Sequence, residues 1–267
     1  MENILKKIID KKKPKILSLK KINPINTILN NIKDIKNFIN FKESLVNRDE
    51  KNKVSIIAEI KKASPSAGLL VNNFDPLNIA KEYKENGASA LSVLTEEDFF
   101  LGKLDYIKDI KNLINLPILC KDFFIDSYQI ALAKSYGADC ILIILSAIDK
   151  VLAKDLYQTA NDLNICALVE VHSEKEAEIA LTFEKSIIGI NNRNLKTLEV
   201  SIDNSVSISK ILSSHHNPIV CESGIHSSDD IKFIVEKANI HNFLIGESLL
   251  TSENIGAKLR EFSQISL

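Results

Sequence analysis

From about residue 53 onward the chain alternates short, almost wholly apolar runs with longer amphipathic stretches. The runs fall near 54–60, 90–94, 117–121, 140–145, 166–171, 187–191, 218–222 and 243–246. Short unbroken runs of this kind, rich in Ile, Val and Leu, mark strands buried on both faces, as in parallel sheets. Their starts lie roughly 20–35 residues apart, the length of a strand with its returning helix. The intervening stretches carry helix punctuation. Asp75-Pro76 opens one helix, with Pro in its first turn, and Asn86-Gly87 closes it. Asp126 opens another that ends at Tyr136-Gly137, while Ser173-x-x-Glu176 and Ser227-x-x-Asp230 resemble capping boxes. Eight such units predict an α/β chain folded as a (β/α)8 TIM barrel. An open doubly wound sheet is the competing arrangement, but the first strand-to-helix turn has no GxGxxG fingerprint.

Residues 1–50 stand outside that count and read as an N-terminal helical extension, with the barrel domain spanning 51–267. Ile4-Leu5 with Ile8-Ile9, and Ile28-Leu29 with Ile32 and Ile35, repeat at helical spacing. Pro14 and Pro24 are expected to break the helices. The first 21 residues hold eight lysines against Glu2 and Asp10, which reads as a solvated helix face and linker. They contain no arginine and no continuous apolar core, unlike a mitochondrial presequence or a secretory signal.

Composition narrows the function. A formal net charge of −1 offers no overall field for nucleic acid, and no apolar stretch approaches the roughly 20 residues needed to cross a membrane. Cys120, Cys140, Cys166 and Cys221 lie in the apolar runs without CxxC spacing, which suits core thiols of a cytoplasmic protein. His215-His216 has no ligand-spaced companions, so no metal site is expected. Only Arg48, Arg193 and Arg260 among the 34 basic residues are arginine, so each one draws notice.

The chemistry collects where the runs end. Residues two apart on a strand share a face, so Ile57, Glu59 and Lys61 form one row at the carboxyl end of the first run. Leu119, Lys121 and Phe123 form another, and Glu170 sits among aliphatics, which should raise its carboxyl pKa. Asn191 and Arg193 share a face, followed in later units by Glu222-Ser223-Gly224 and Gly246-Glu247-Ser248. Small residues after the last two strands suit a phosphate site built from backbone N–H groups. Any one of these has a plain structural alternative, such as a salt-bridged rim or close packing. Together they place buried charges, each costing several kcal/mol unless well paired, in one barrel mouth.

The string Ala58-Glu59-Ile60-Lys61-Lys62-Ala63-Ser64-Pro65-Ser66-Ala67-Gly68 resembles the first-strand signature of the indole-3-glycerol-phosphate synthases. The resemblance continues through Ser92–Glu96 with Phe100 and Gly102, Leu119–Phe123, Leu168–His172, Ile188–Leu195, Glu222–Ile225 and Ile245–Leu249, so these motifs fall in seven of the eight units. One mild departure is Cys120, where the family often carries Arg or another residue, on the outward side of its strand.

This resemblance implies ring closure, decarboxylation and dehydration of 1-(2-carboxyphenylamino)-1-deoxyribulose 5-phosphate, with no cofactor or metal. It implies Lys121 as general acid, Glu170 in the dehydration, and Lys61 oriented by Glu59 and Asn191, either as second acid or holding the substrate carboxylate. Ser223 joins the catalytic set. Arg193 would bind carboxylate or phosphate, Ser64, Ser223, Gly224, Gly246 and the backbone at Glu247 would take the phosphate, and Glu222 would also bind substrate. Phe100 and Phe123 would sandwich the aniline ring, and the loop 62–70 is a plausible lid. The family reading further implies a cytoplasmic monomer without nucleic-acid or membrane partners and without the isomerase domain fused to it in some organisms. A Schiff-base aldolase using Lys121 as nucleophile is a second enzyme reading, and a non-catalytic phosphometabolite-binding barrel is a third.

Overall fold

The computed structural model describes residues 4–35, 37–46, 54–195 and 197–266. Eight strands, β1 (Ser55–Ile60), β2 (Ala90–Leu94), β3 (Ile118–Lys121), β4 (Cys140–Ile144), β5 (Cys166–Val171), β6 (Ile187–Asn191), β7 (Ile219–Glu222) and β8 (Asn242–Ile245), pair in parallel. Chain order is kept around the ring, and β8 returns to β1 to close the barrel. The apolar runs thus map one to one onto strands. β-Branched side chains fill the interior on one face and pack against helices on the other.

Among the described residues three helices precede β1: α1 (Ile4–Ile22), α2 (Ile25–Asp34) and α3 (Phe41–Val46). The rest are α4 (Pro76–Glu85), α5 (Asp105–Leu113), α6 (Ser127–Ser135), α7 (Lys150–Asp162), α8 (Glu174–Ala180), α9 (Asp203–Ile211), α10 (Ser228–Ala238), α11 (Glu247–Leu250) and α12 (Ile255–Ser263). Asp75 and Asp126 cap α4 and α6 with their side chains, and Gly87 and Gly137 follow the two helices at positive φ. Ser227 and Asp230 form a reciprocal capping box on α10. At α8 the box is only half made. Ser173 accepts from the Glu176 N–H, but the Glu176 carboxylate accepts from the backbone of His172 instead.

Two expectations about the extension are corrected. Pro14 does not end a helix, because α1 runs through it from Ile4 to Ile22. An interior Pro costs about 3 kcal/mol, and tertiary contacts on both sides of it offset that here. Leu5 and Ile8 are buried before it and Ile16 after it. Nor is the lysine-rich face merely solvated. Lys12 meets Asp122 at 2.6 Å, Lys15 meets Glu97 and Asp98 at 2.9 Å, and Lys20 meets Asp126 at 2.6 Å. Pro24 does separate α1 from α2, as the N-cap of α2.

These pairs lay α1 over the carboxyl ends of the strands. α2 then runs along α6, where Ile16 and Ile28 pack on Tyr128, Ala131 and Leu132. The chain reaches the opposite end of the barrel at residue 39, whose N–H donates to buried Asp139 just ahead of β4. There Phe41 and Leu45 of α3 join the barrel core, and Lys42 donates to the Lys185 carbonyl and to Asn217 Oδ1. The extension therefore straps the barrel from mouth to floor.

Candidate active site

Parallel register puts the polar strand ends at one level. Leu94 lies opposite Lys121, Ile144 opposite Glu170, and Asn191 opposite Glu222. All fourteen residues singled out above line one cavity at the carboxyl end: Glu59, Lys61, Ser64, Phe100, Lys121, Phe123, Glu170, Asn191, Arg193, Glu222, Ser223, Gly224, Gly246 and Glu247. Apolar walls come from Leu94, Leu142 and Ile144 below and from Ile4, Leu5 and Ile8 of α1 above. The enclosed space is about 180 Å3. Ligand pockets usually span about 300–1,000 Å3, so a sizeable ligand must push back this cover.

Lys121 is the centre of the charge network. Its Nζ lies 3.0 Å from Glu170 Oε2 and 2.5 Å from Glu222 Oε2, and both carboxylates are almost fully buried. Burial works against the ammonium, but Glu222, Glu170 and Glu59 together outweigh it and hold the Lys121 pKa above its usual value. A second pair, Lys61 Nζ to Glu59 Oε1 at 2.6 Å, stands beside it. Gly246 packs against Glu59 so closely that an added Cβ would come within 2.5 Å of Oε1.

The carboxyl that burial raises is not the one expected. Burial pushes Glu170 up, but Lys121 and His172, with hydrogen bonds from Lys121 and Asn191, bring it down to about 2. Glu222 rises instead to about 7, through burial and the like charge of Glu170, against the pull of Lys121. One ammonium cannot keep two buried carboxylates fully ionised, and Glu170 has the extra donors. The aliphatic flanks of Glu170 gave no sign of these cross-barrel partners.

Asn191 organises the next segment. Its Oδ1 accepts from Ser223 Oγ at 2.9 Å and from the Arg193 N–H at 3.0 Å. Ser223 and Gly224 both adopt positive φ, forming a sharp turn directly after Glu222. Asn192, not singled out from the sequence, faces the other way. Its amide nitrogen donates to the Ser223 carbonyl, while its oxygen accepts from Ser205 on α9. Arg193 donates to the Leu198 carbonyl and lies 3.7 Å from Glu247, leaving its guanidinium partly exposed at the rim.

The aromatic pair is also corrected. A ring held between two parallel faces needs about 7 Å between them, twice a normal contact. Phe100 and Phe123 have centroids 6.2 Å apart at 41°, so they touch each other and form one wall. Phe100 is set by Glu96, whose carboxylate accepts from the N–H groups of residues 98, 99 and 100. Within the loop 62–70, Ala63–Ser64 and Gly68–Leu69 form a small antiparallel hairpin, and Ser64 Oγ accepts from the Ala67 N–H. Among the described residues no cluster of three or more His, Cys, Asp or Glu side chains is arranged to hold a metal, and no helix is long and apolar enough to cross a membrane.

A sequence model of the indole-3-glycerol phosphate synthase family matches residues 5–262. The chain belongs to this family. It is 42% identical to the indole-3-glycerol phosphate synthase of Alkaliphilus metalliredigens over 97% of both chains. It is 44% identical to that of Carboxydothermus hydrogenoformans over 83% of each. Solved structures share the fold at low identity. A 3-hexulose-6-phosphate synthase from Salmonella typhimurium superposes with a TM-score of 0.64 at 14% identity, covering 79% of this chain and 97% of that one. A thiamine phosphate pyrophosphorylase from Pyrococcus furiosus gives 0.56 at 15%, covering 80% and 96%.

Proposed function

We propose that this chain closes 1-(2-carboxyphenylamino)-1-deoxyribulose 5-phosphate to indole-3-glycerol phosphate, with loss of CO2 and water, as a cytoplasmic monomer. The observation that carries this reading is Lys121, a buried ammonium clasped by Glu170 and Glu222 at the barrel mouth. Ring closure joins the carboxylate-bearing ring carbon to the ketone, and negative charge develops on the carbonyl oxygen. A held ammonium supplies the proton there, so Lys121 is the general acid. Decarboxylation then returns the electron pair to the aromatic ring.

Dehydration takes a proton from the adjacent CH2 group and expels hydroxide as water. Glu170, ionised in the resting site, accepts that proton. The hydroxide needs a donor, and Lys61 and Lys121 are the ammoniums at hand. Arg193 presents a fork for an anionic group. Ser64, Gly224, Gly246 and the backbone at Glu247 line the same mouth and would take the phosphate. Phe100 and Phe123 offer the ring a shared wall once α1 yields.

The paired state of Lys121 argues against the aldolase reading, since a Schiff-base lysine must be neutral to attack. The test is direct. Purified protein mixed with the carboxyphenylamino substrate should develop indole fluorescence at the same rate with and without EDTA. No fluorescence would sink this reading; borohydride-trapped substrate on Lys121 would replace it with the aldolase.

A further inference from the structure

The proton inventory of the proposed reaction does not close within the site. One proton goes to the ketone oxygen in ring closure and a second to the departing hydroxyl. Only one returns, from the CH2 group to Glu170. CO2 leaves without its electron pair and takes no proton. Each turnover therefore draws one proton from solvent, while α1 lays Ile4, Leu5 and Ile8 across the mouth.

Behind Glu170 lies a second way in. His172 Nε2 is 3.3 Å from Glu170 Oε1, and this buried nitrogen has no hydrogen-bond partner as placed. Nδ1 of the same ring is 3.5 Å from Glu176 Oε2 and 3.4 Å from the exposed Ser146 hydroxyl. Glu176 is fixed in that position by accepting the His172 backbone N–H at 2.7 Å. Side-chain exposure rises along the series, from 3% at Glu170 to 11% at His172 and 21% at Glu176. Glu170 Oε2 in turn faces Lys121 Nζ at 3.0 Å.

We infer that His172 is the port through which the consumed proton enters, passing from the Glu176–Ser146 rim to Glu170 and on to Lys121. This rests on the reading of the reaction above. The starting form is the imidazolium. Its Nε2–H bond breaks as an O–H bond forms on Glu170 Oε1, and the neutral ring keeps its Nδ1 proton. A half-turn of the carboxyl then offers the proton to the Lys121 amine. The imidazole turns over, and its bare nitrogen takes a proton from water at the rim. No electrons are transferred.

Carboxylates stand beside both ring nitrogens. Burial opposes the imidazolium, but Glu176, Glu170 and Glu222 outweigh it and raise the His172 pKa, while the Lys121 ammonium faces Glu170 from across the barrel. His172 touches no part of the cavity surface, so it acts through Glu170.

Two kinetic regimes test this. With enzyme in excess, the resting site already holds its protons, so His172→Gln should close the ring and release indole product at a rate within about twofold of wild type. Under multiple turnover its kcat should fall about tenfold with KM unchanged, and millimolar imidazole in the buffer should restore most of the loss. Equal slowing in both regimes would mean that His172 merely shapes or charges Glu170, and would overturn the proposal. So would an unchanged kcat, or a slow kcat that imidazole leaves slow. His172→Asn should behave like Gln, which separates proton supply from packing. A wild-type protein without turnover would instead refute the reaction itself.

Discussion

Glu222 Oε2 lies 2.5 Å from Lys121 Nζ across 101 residues of chain, while its other oxygen is buried against Gly189 with no hydrogen-bond partner. The carboxylate is thus pressed onto the lysine by the bare backbone of the neighbouring strand. A Cβ at residue 189 would come within 2.0 Å of Oε1 and 2.7 Å of a Leu168 methyl. Gly189→Ala should therefore swing Glu222 off Lys121 and cost about 1–3 kcal/mol of stability, the range for overpacking. Its kcat should fall far more than its KM rises. An alanine variant with normal kcat would show that the Lys121–Glu222 contact is dispensable.

Glu222 also sets a pH dependence. Its folded pKa, near 7, lies above the ordinary carboxyl value. The native state then holds a proton that the unfolded chain has lost, so this group adds stability below about pH 4 and gives it up as pH rises through 7. Glu222→Gln removes that slope. Comparing melting temperatures from pH 4 to pH 8, wild type should lose ground to the variant as pH increases. The opposite trend would assign the raised carboxyl elsewhere.

Lys121→Ala should lower kcat by about 10²–10⁴, the usual loss for a general acid, with a smaller change in KM. Near-normal turnover would transfer the acid role to Lys61.

For Glu170→Gln, binding should survive while dehydration slows more than ring closure. Rapid-quench single-turnover samples should then contain a decarboxylated, still hydrated intermediate. If ring closure itself becomes slow and nothing accumulates, Glu170 acts earlier than assigned here.

The extension divides into two parts with different expected effects. Removing residues 1–22 takes away Ile4, Leu5 and Ile8, which shift to admit the ligand and then close against it, but leaves α3 in place, so KM should rise with the barrel still folded. A cut at residue 50 also removes Phe41 and Leu45 from the core and strands the Ser55 hydroxyl, which donates to the Leu45 carbonyl. Circular dichroism should show a folded first variant and a second with a much lower melting temperature. Equal stability of the two would make α3 an ornament.

Local signals made the eight strands legible. Runs such as Cys140–Ile144 are unambiguous because both faces are buried, and Asp75, Asp126 and Ser227 announce helix starts through their own side chains. The site residues could be found because period-two spacing aims alternate side chains into the barrel. What could not be read was anything decided across the ring. Lys12 looks like any solvated lysine until Asp122 stands opposite it. Pro14 looks like a stop until contacts on both sides hold the helix through it. The pKa order of Glu170 and Glu222 is set by His172, Asn191 and Lys121, none of which is visible from the aliphatic flanks.

Lys42 grips the Lys185 carbonyl and the Asn217 side chain, 143 and 175 residues further along the chain. A ribosome making about 5–20 residues per second needs many seconds to supply those partners. A segment made before the whole barrel is thus among the last to be tied down. Until residues 185 and 217 emerge, the floor of the barrel is open and Lys42 lacks the two acceptors that tie the strap to the later units. For this anchor, order of synthesis and order of assembly run in opposite directions, although Ile28 can already meet Tyr128, Ala131 and Leu132 of α6.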